Sequence, residues 1–388
     1  MTLSDKPNLA IRRRLQLTSF VTTFDRFTMP PMLIAISHGL HVPFLQVAGA
    51  ASAYFLIYGL MQPIWGIASN RIGLAATIRW CTLVGSIVTI SGGLSRNITM
   101  LVLARVISGV CFSATFPAAL IYVGETATTR LRHQEVTHLM TGVALGTGLS
   151  TAISGALTAF AGWRWGFFFA GTVGAVSAIY IWRLAELPRV PFREPIIAPV
   201  LSSLRNRSVL LLLALALIEG AAILGALTFI PSAVETTGRN AAVSAGVTAT
   251  YGAAVLVGSG AVGRFAQRFS RAMFIFWGAL LGATACALIA LTRNLSIVVF
   301  ACALLGLSWS SMHSSLQTWA TEVLPAKRAV VVSFFAGSLF AGSALAAAVG
   351  GPLAQHHAYG ALFIRGTALL LVVGIVGSVA RTRWERRE

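Results

Sequence analysis

Charge is what this sequence has least of. Only 10% of its 388 residues are Asp, Glu, Lys or Arg, against about a quarter in an ordinary soluble domain. Acids are the scarcest, 11 against 29 bases. With 56% hydrophobic residues, a chain this poor in charge has too little polar surface for a water-soluble globule. Cysteine is sparse as well. Cys81, Cys111, Cys286 and Cys302 lie inside apolar runs, at spacings that fit neither a disulfide framework nor a metal site. They read as small packing residues. No Gly-rich patch follows a strand or ends in Lys-Ser/Thr, so ATP-driven work within the chain is not expected. No small-residue cleavage site follows Arg12-Arg13-Arg14, so no cleavable signal is expected. The net charge of +18 is spread between apolar runs and gathered on no one segment, which argues against nucleic acid as a partner.

What the chain does have is long apolar runs. Each holds roughly 18–25 residues, enough to cross a ~30 Å hydrocarbon core. Hydropathy places about twelve of them, at 16–40, 45–69, 76–95, 98–124, 134–161 and 164–186, then 208–233, 240–263, 272–292, 295–321, 328–354 and 358–381. The Pro- and Arg-bearing stretch 187–207 divides the chain into halves 1–186 and 208–388. With the N-terminus inside, the inner segments collect Arg71, Arg79, Arg130, Arg132, Arg205, Arg207, Arg264, Arg268, Arg271, Lys327, Arg328 and the tail arginines. The other side keeps Arg96, Arg164, Arg239, Arg293 and Arg365. The positive-inside bias therefore puts both termini in the cytoplasm. Heavy use of Arg over Lys hints at a bacterial source, and with it the inner membrane.

The halves repeat one another. Gly66-Ile-Ala-Ser-Asn70-Arg71 after the second span recurs as Gly263-Arg-Phe-Ala-Gln267-Arg268 after the eighth. The same offset pairs Tyr54 with Tyr251, Gly49 with Gly246, Asn97 with Asn294, Gly109 with Gly306 and Glu125 with Glu322. After a two-residue slip Gly142 meets Gly337 and Gly155 meets Gly350. One register held over five spans marks a duplicated six-span unit. Both copies enter from the same side, so they are parallel repeats, the arrangement of two rocking transporter halves.

Three motifs carry a family resemblance. Gly66-x-x-x-Asn70-Arg71-x-Gly73 with Arg79, Leu103-Ala-Arg105-x-x-x-Gly109, and Gly162-Trp-Arg-Trp-Gly-Phe-Phe together resemble signatures of the major facilitator superfamily. Asn70 stands where the family usually has Asp. The resemblance implies an all-α membrane protein of two six-helix bundles that transports by alternating access, and no enzyme. In such a protein Gly66 and Gly73 allow close approach of the second and eleventh helices. Arg71 would sit against helix ends or acids such as Glu125, with Gly263, Gln267, Arg268 and Glu322 the matching gate elements. In the fifth span Gly146-x-x-x-Ser150-Thr151-x-x-x-Gly155 keeps the small residues of the superfamily's antiporter motif but replaces its Gly-Pro pair.

The charges inside the spans are the candidate chemistry. Asp25 and Arg26 lie side by side within the first span, where a charge costs roughly 2.5–3.5 kcal/mol at the bilayer centre. Helical spacing sends them to adjacent stripes, and Pro30-Pro31 bends the outer half. Arg105 is a second cation at similar depth. An adjacent cation favours the ionised form of a carboxylate, and desolvation favours the neutral form. A carboxylate balanced between the two can carry a proton. Glu219, midway along the seventh span, is the other deep acid. Asp25 is thus the expected proton site, with Glu219 second and Arg105 tuning the response, although a permanent buried ion pair is the plainer reading. The tenth span adds Trp309, Ser310, His313, Ser314 and Gln317, a substrate wall or ordinary interhelical bonding. Arg26, Tyr54, Tyr58, Gln62 and Tyr251 complete the expected cavity, whose aromatics suit a lipophilic cation.

The expected function is proton-driven efflux of small lipophilic or cationic compounds by a monomer, with no cofactor beyond the proton gradient and with lipid around it. Proton symport of a small organic anion is the alternative, since Asp-Arg in the first helix also occurs in anion-transporting branches of the resembled family. Export of a lipid or cell-wall precursor is another. Asp25 facing the cavity favours efflux; Arg26 facing it favours the anion.

Overall fold

The computed structural model describes residues 8–127, 129–188, 202–265 and 268–386. The side chain of Asn70, Gln267 and residues 189–201 of the expected linker lie outside the described residues. The chain forms helices α1 (Leu9–Thr28), α2 (Leu33–Leu40), α3 (Phe44–Ile72), α4 (Leu74–Gly93), α5 (Ile98–Thr126), α6 (Thr129–Ala161) and α7 (Trp163–Ile181). Beyond the linker follow α8 (Arg207–Glu219), α9 (Gly225–Glu235), α10 (Ala241–Phe265), α11 (Arg271–Leu291), α12 (Leu295–Ser308), α13 (Ser314–Glu322), α14 (Arg328–Gln355) and α15 (Tyr359–Glu385).

Among the described residues eleven helical stretches are long and apolar enough to cross a membrane. The expected span 16–40 is not among them. It is split into α1 and α2 by a 3-10 turn at Pro30–Met32, because consecutive prolines remove two backbone donors. Two other expected spans change hydrogen bonding midway. A π turn, Gly220–Leu224, joins α8 to α9, and a second, Trp309–His313, joins α12 to α13. Such turns inside α-helices cluster at functional sites.

The repeat is visible in local physics. Asn97 caps α5 by accepting from Met100 N–H, and its counterpart Asn294 caps α12 by accepting from Ser296 N–H. Gly109 lets α5 close on the Tyr54 carbonyl, and Gly306 lets α12 close on that of Tyr251; a Cβ would sit 3.2 and 2.5 Å from the two oxygens. Side chains larger than hydrogen would push these helices apart.

Between the halves, α3 runs along α14 and α6 along α10. At Gly66 α3 comes close to α14, where a Cβ would meet Ser333 at 3.2 Å, whereas a Cβ on Gly73 would meet Glu186 and not α14. At the end away from the termini, the Pro30–Met32 turn packs on α9 and α10, and Leu45 N–H donates to Gln355 Oε1.

Candidate functional site

Asp25 ends up facing away from the space between the halves. It is 2% exposed, enclosed by α4 and α5. Its Oδ1 accepts from Thr89 Oγ1 at 2.6 Å and from Arg105 at 3.1 Å, while Oδ2 lies 3.3 Å from the same guanidinium nitrogen. The other terminal nitrogen of Arg105 donates to the Asp25 carbonyl at 3.3 Å. The guanidinium lies over the Tyr54 ring, 4.0 Å from its centroid. Each charge thereby meets its opposite and a polar or π partner, the condition under which a buried pair is tolerated. Tyr54 is buried by this stacking, and its hydroxyl has no hydrogen-bond partner among the described residues.

Arg26, one residue on, turns the other way. It donates to the Tyr58 hydroxyl and stacks between Tyr58 and Phe340, 4.3 and 4.6 Å from the two centroids. Phe340 belongs to α14, so this cation reaches from the first half to the second. Gln62, one turn beyond Tyr58 on α3, is buried. Of the two neighbours, the base occupies the interface and the acid the interior of its own helix group.

The second half builds a different site. Glu219 is wholly buried at the end of α8. Its Oε1 lies 3.1 Å from His313 Nδ1 at the end of the α12–α13 π turn, and its Oε2 has no partner among the described residues. The His313 ring stacks on Trp309 at 3.8 Å and faces Phe335 of α14 at 5.8 Å. Tyr251, in the position equivalent to Tyr54, is buried within electrostatic reach of Glu219. Gly220 makes the arrangement possible. A Cβ there would lie 1.8 Å from the Leu339 carbonyl oxygen, so α14 touches the backbone beside the acid.

The π turn alters the expected wall on the tenth span. Ser310 does not share an open face with Ser314 and Gln317. Its hydroxyl donates to the Val255 and Gly306 carbonyls, against α10. The extra residue in the turn rotates the helix so that His313, Ser314 and Gln317 differ in environment from Ser310: His313 and Gln317 are half-buried and Ser310 is buried.

In the fifth span Gly146 closes on α1, where a Cβ would lie 2.6 Å from the Phe20 carbonyl. Gly155 closes on α10, where it would overlap Ala245. Ser150 Oγ donates to the Phe24 carbonyl, and Thr151 Oγ1 to its own Thr147 carbonyl. The motif thus wedges α6 between α1 and α10, close to the Asp25–Arg26 pair.

The expected latch of Arg71 on Glu125 is absent among the described residues, and both side chains are exposed. The acid at this loop is Glu186, which the sequence pattern did not single out. Gly73, at φ +112°, turns the chain so that Ala75 and Ala76 N–H donate to its carboxylate at 3.1 and 2.8 Å. Nothing in a linear pattern tied a linker acid to a helix start 110 residues earlier. In the second half Glu322 is engaged, 2.7 Å from Arg381, which also binds Glu385. Gly263 and Arg268 lie at the matching loop, Arg268 exposed. Arg12, which precedes the first expected span, pairs at 2.6 Å with Glu135 at the start of the fifth, and that hydrogen bond holds its guanidinium proton more firmly than usual.

Known proteins resemble the chain in sequence and in fold. Relatives include an MFS-type transporter of Aspergillus terreus, 24% identical over 47% of this chain and 37% of its own. A lincomycin resistance protein of Streptomyces lincolnensis is 24% identical over 43% and 34%, and an efflux pump of Dothistroma septosporum 25% over 46% and 31%. The matches thus span about a third of the length of these relatives. The fold resembles that of a point mutant of the nucleoside transporter NupG, with TM-score 0.80 and 11% identity over 96% of this chain and 99% of that one. It also resembles a bacterial homolog of the human lysosomal transporter Spinster in an inward-facing, unoccupied conformation, with TM-score 0.76 and 16% identity over 97% and 98%. The sequence profile of the Major Facilitator Superfamily matches residues 15–347, and the chain belongs to that family.

Proposed function

We propose that the chain is a proton-coupled exporter of small lipophilic or cationic compounds. The carrying observation is the Glu219–His313 pair. A buried carboxylate has one oxygen against an imidazole and the other without a partner among the described residues, which leaves a seat for a proton. Imidazole is the side chain whose ordinary titration falls between pH 5 and 8. The two π turns put both groups beside α14, which links them to Arg26 through Phe335 and Phe340. Glu219 then takes over the principal proton role expected of Asp25, whose oxygens are already held by Arg105 and Thr89. Asp25 and Arg105 become the fixed frame that aims Arg26.

In this reading α1 and α2 together make a twelfth crossing, and the two six-helix halves, 1–186 and 208–388, rock about the central site. Both termini lie in the cytoplasm of a bacterial cell, and the protein sits in the inner membrane. The contacts of Pro30–Met32 and Gln355 then close the outer end. Substrate enters from the cytoplasm or inner leaflet, the halves turn outward, and an external proton on the Glu219–His313 pair permits the return. The machine acts as a monomer, driven by the proton gradient with no cofactor. The names of the lincomycin resistance protein and of the efflux pump support export.

A second reading, proton symport of a small organic anion, is favoured by one observation: Arg26, not Asp25, reaches between the halves. Proteoliposomes under an imposed pH gradient separate the two. Export predicts that a lipophilic-cation dye moves against the proton flow, and that Glu219→Gln stops this movement while dye exchange continues. An organic anion moving with the protons, lost in Arg26→Gln, supports the second reading. Normal gradient-driven dye movement in Glu219→Gln overturns the proton assignment.

A further inference from the structure

A cavity of about 180 Å³ lies in the second half, lined by neither Glu219 nor His313. Ala221, Ala222, Ala346, Gly350 and Cys286 form its walls, and Arg365 is the one charged residue lining it. Leu345 and Val349 at its side are 51% and 52% exposed on a membrane-spanning helix, so the cavity is flanked by the lipid-facing surface. A dry apolar cavity of about 150 Å³ is enough to hold benzene; this one has room for a stretch of hydrocarbon and offers water almost no partners.

Arg365 sets the second requirement. It is exposed and lies six residues inside α15, about 9 Å along the axis from the helix start. Among the described residues it has no ion pair or hydrogen bond. A guanidinium on a lipid-facing surface at that depth is costly unless an anion meets it or it reaches toward the headgroups. Planar paired donors suit a phosphate.

We propose that this is a binding site for an anionic phospholipid of the leaflet away from the termini. One acyl chain fills the cavity and the phosphate sits on Arg365. The chain then packs against Ala221 and Ala222 of the π turn that follows Glu219. The occupant is identified by charge complementarity: a neutral hydrocarbon would satisfy the walls and leave the arginine bare.

The test uses the full chain in nanodiscs and phosphatidylglycerol carrying a photoactivatable acyl chain, compared with phosphatidylcholine carrying the same chain. Adducts are mapped by mass spectrometry. Phosphatidylglycerol is expected to label Ala221–Phe229 and Leu345–Leu353 about fivefold above phosphatidylcholine, the increment of one basic residue at the lipid surface. Arg365→Ala, at an exposed position, brings the two lipids level, and Arg365→Lys keeps most of the preference. Ala346→Phe, which fills the cavity, lowers labelling by both. Equal labelling by the two lipids in the unaltered protein overturns the proposal. So does an undiminished preference in Arg365→Ala, or labelling confined to other segments.

Discussion

Glu219 and His313 meet at 3.1 Å across two helices that both pass into a π turn at that level. The contact uses one carboxylate oxygen and leaves the other buried and unpartnered among the described residues. Leaving a buried polar group unsatisfied costs about 1–3 kcal/mol. His313→Ala is therefore expected to destabilise the protein by about that amount, and Glu219→Leu to lose less, because it removes the group that needs a partner. The double variant should be more stable than the sum of the single losses predicts. Thermal unfolding of the four proteins in one detergent measures the cycle, and strict additivity would remove the contact from the argument.

The first-half pair makes the same kind of prediction at larger magnitude. Asp25 and Arg105 face one another at 2% side-chain exposure each. Removing one member of such a pair strands the other, at about 3–5 kcal/mol. Asp25→Ala is expected to unfold at much lower temperature, and Asp25→Ala with Arg105→Leu to recover most of the loss. The observation that would count against a structural frame is an Asp25→Ala protein with unchanged stability and lost proton coupling.

Much of this was legible in the sequence, because the signals were local. Apolar runs set the helix positions, and the positive-inside bias the expected orientation. The side of the helix on which Asp25 falls was not legible. Neighbours on a helix take different stripes, but which stripe meets which helix is decided by Arg105 and Thr89, 80 and 64 residues away. The π turns were equally hidden. Gly220 reads as one small residue among many until Leu339 is seen against it, and the turned Ser310 follows from the same kind of insertion in its own helix.

Glycine substitutions separate contact from composition. A Cβ on Gly220 would meet the Leu339 carbonyl oxygen at 1.8 Å, and one on Gly342 the Leu217 oxygen at 1.9 Å. Both neighbours are backbone and cannot turn aside, so Gly220→Ala and Gly342→Ala are expected to cost about 1–3 kcal/mol or more by overpacking. The repeat-related Gly49 and Gly246 have nothing within 4 Å of the same atom. Alanine there is expected to be neutral or to stabilise by up to about 1 kcal/mol, through helix propensity and a less mobile unfolded chain. Unfolding midpoints in a common detergent order the four variants, and a tolerated Gly220→Ala would mean that the halves of this helix pair are not in contact.

The two copies of the signature loop start the next helix by different means. In the second half Ser270 caps α11 itself, accepting from Met273 N–H. At the equivalent position the first half has Gly73, which has no side chain to offer, and Glu186 supplies the acceptor from the linker side. A carboxylate at a helix N-terminus also meets the positive end of the dipole, an effect of about 0.3–1 kcal/mol at an exposed site. Glu186→Ala is therefore expected to speed hydrogen exchange at the Ala75 and Ala76 amides while leaving the start of α11 unchanged. Glu186→Gln, which keeps an oxygen acceptor but not the charge, should fall between. Ser270→Ala should do the reverse, loosening α11 at a cost of about 0.5–2 kcal/mol. A serine at Gly73 cannot replace the missing acid, because φ is +112° there and a side chain would press on the Glu186 carboxylate at 2.8 Å. If Glu186→Ala leaves both amides as protected as before, the linker acid is a bystander, and the first copy of the loop holds its helix start by packing alone.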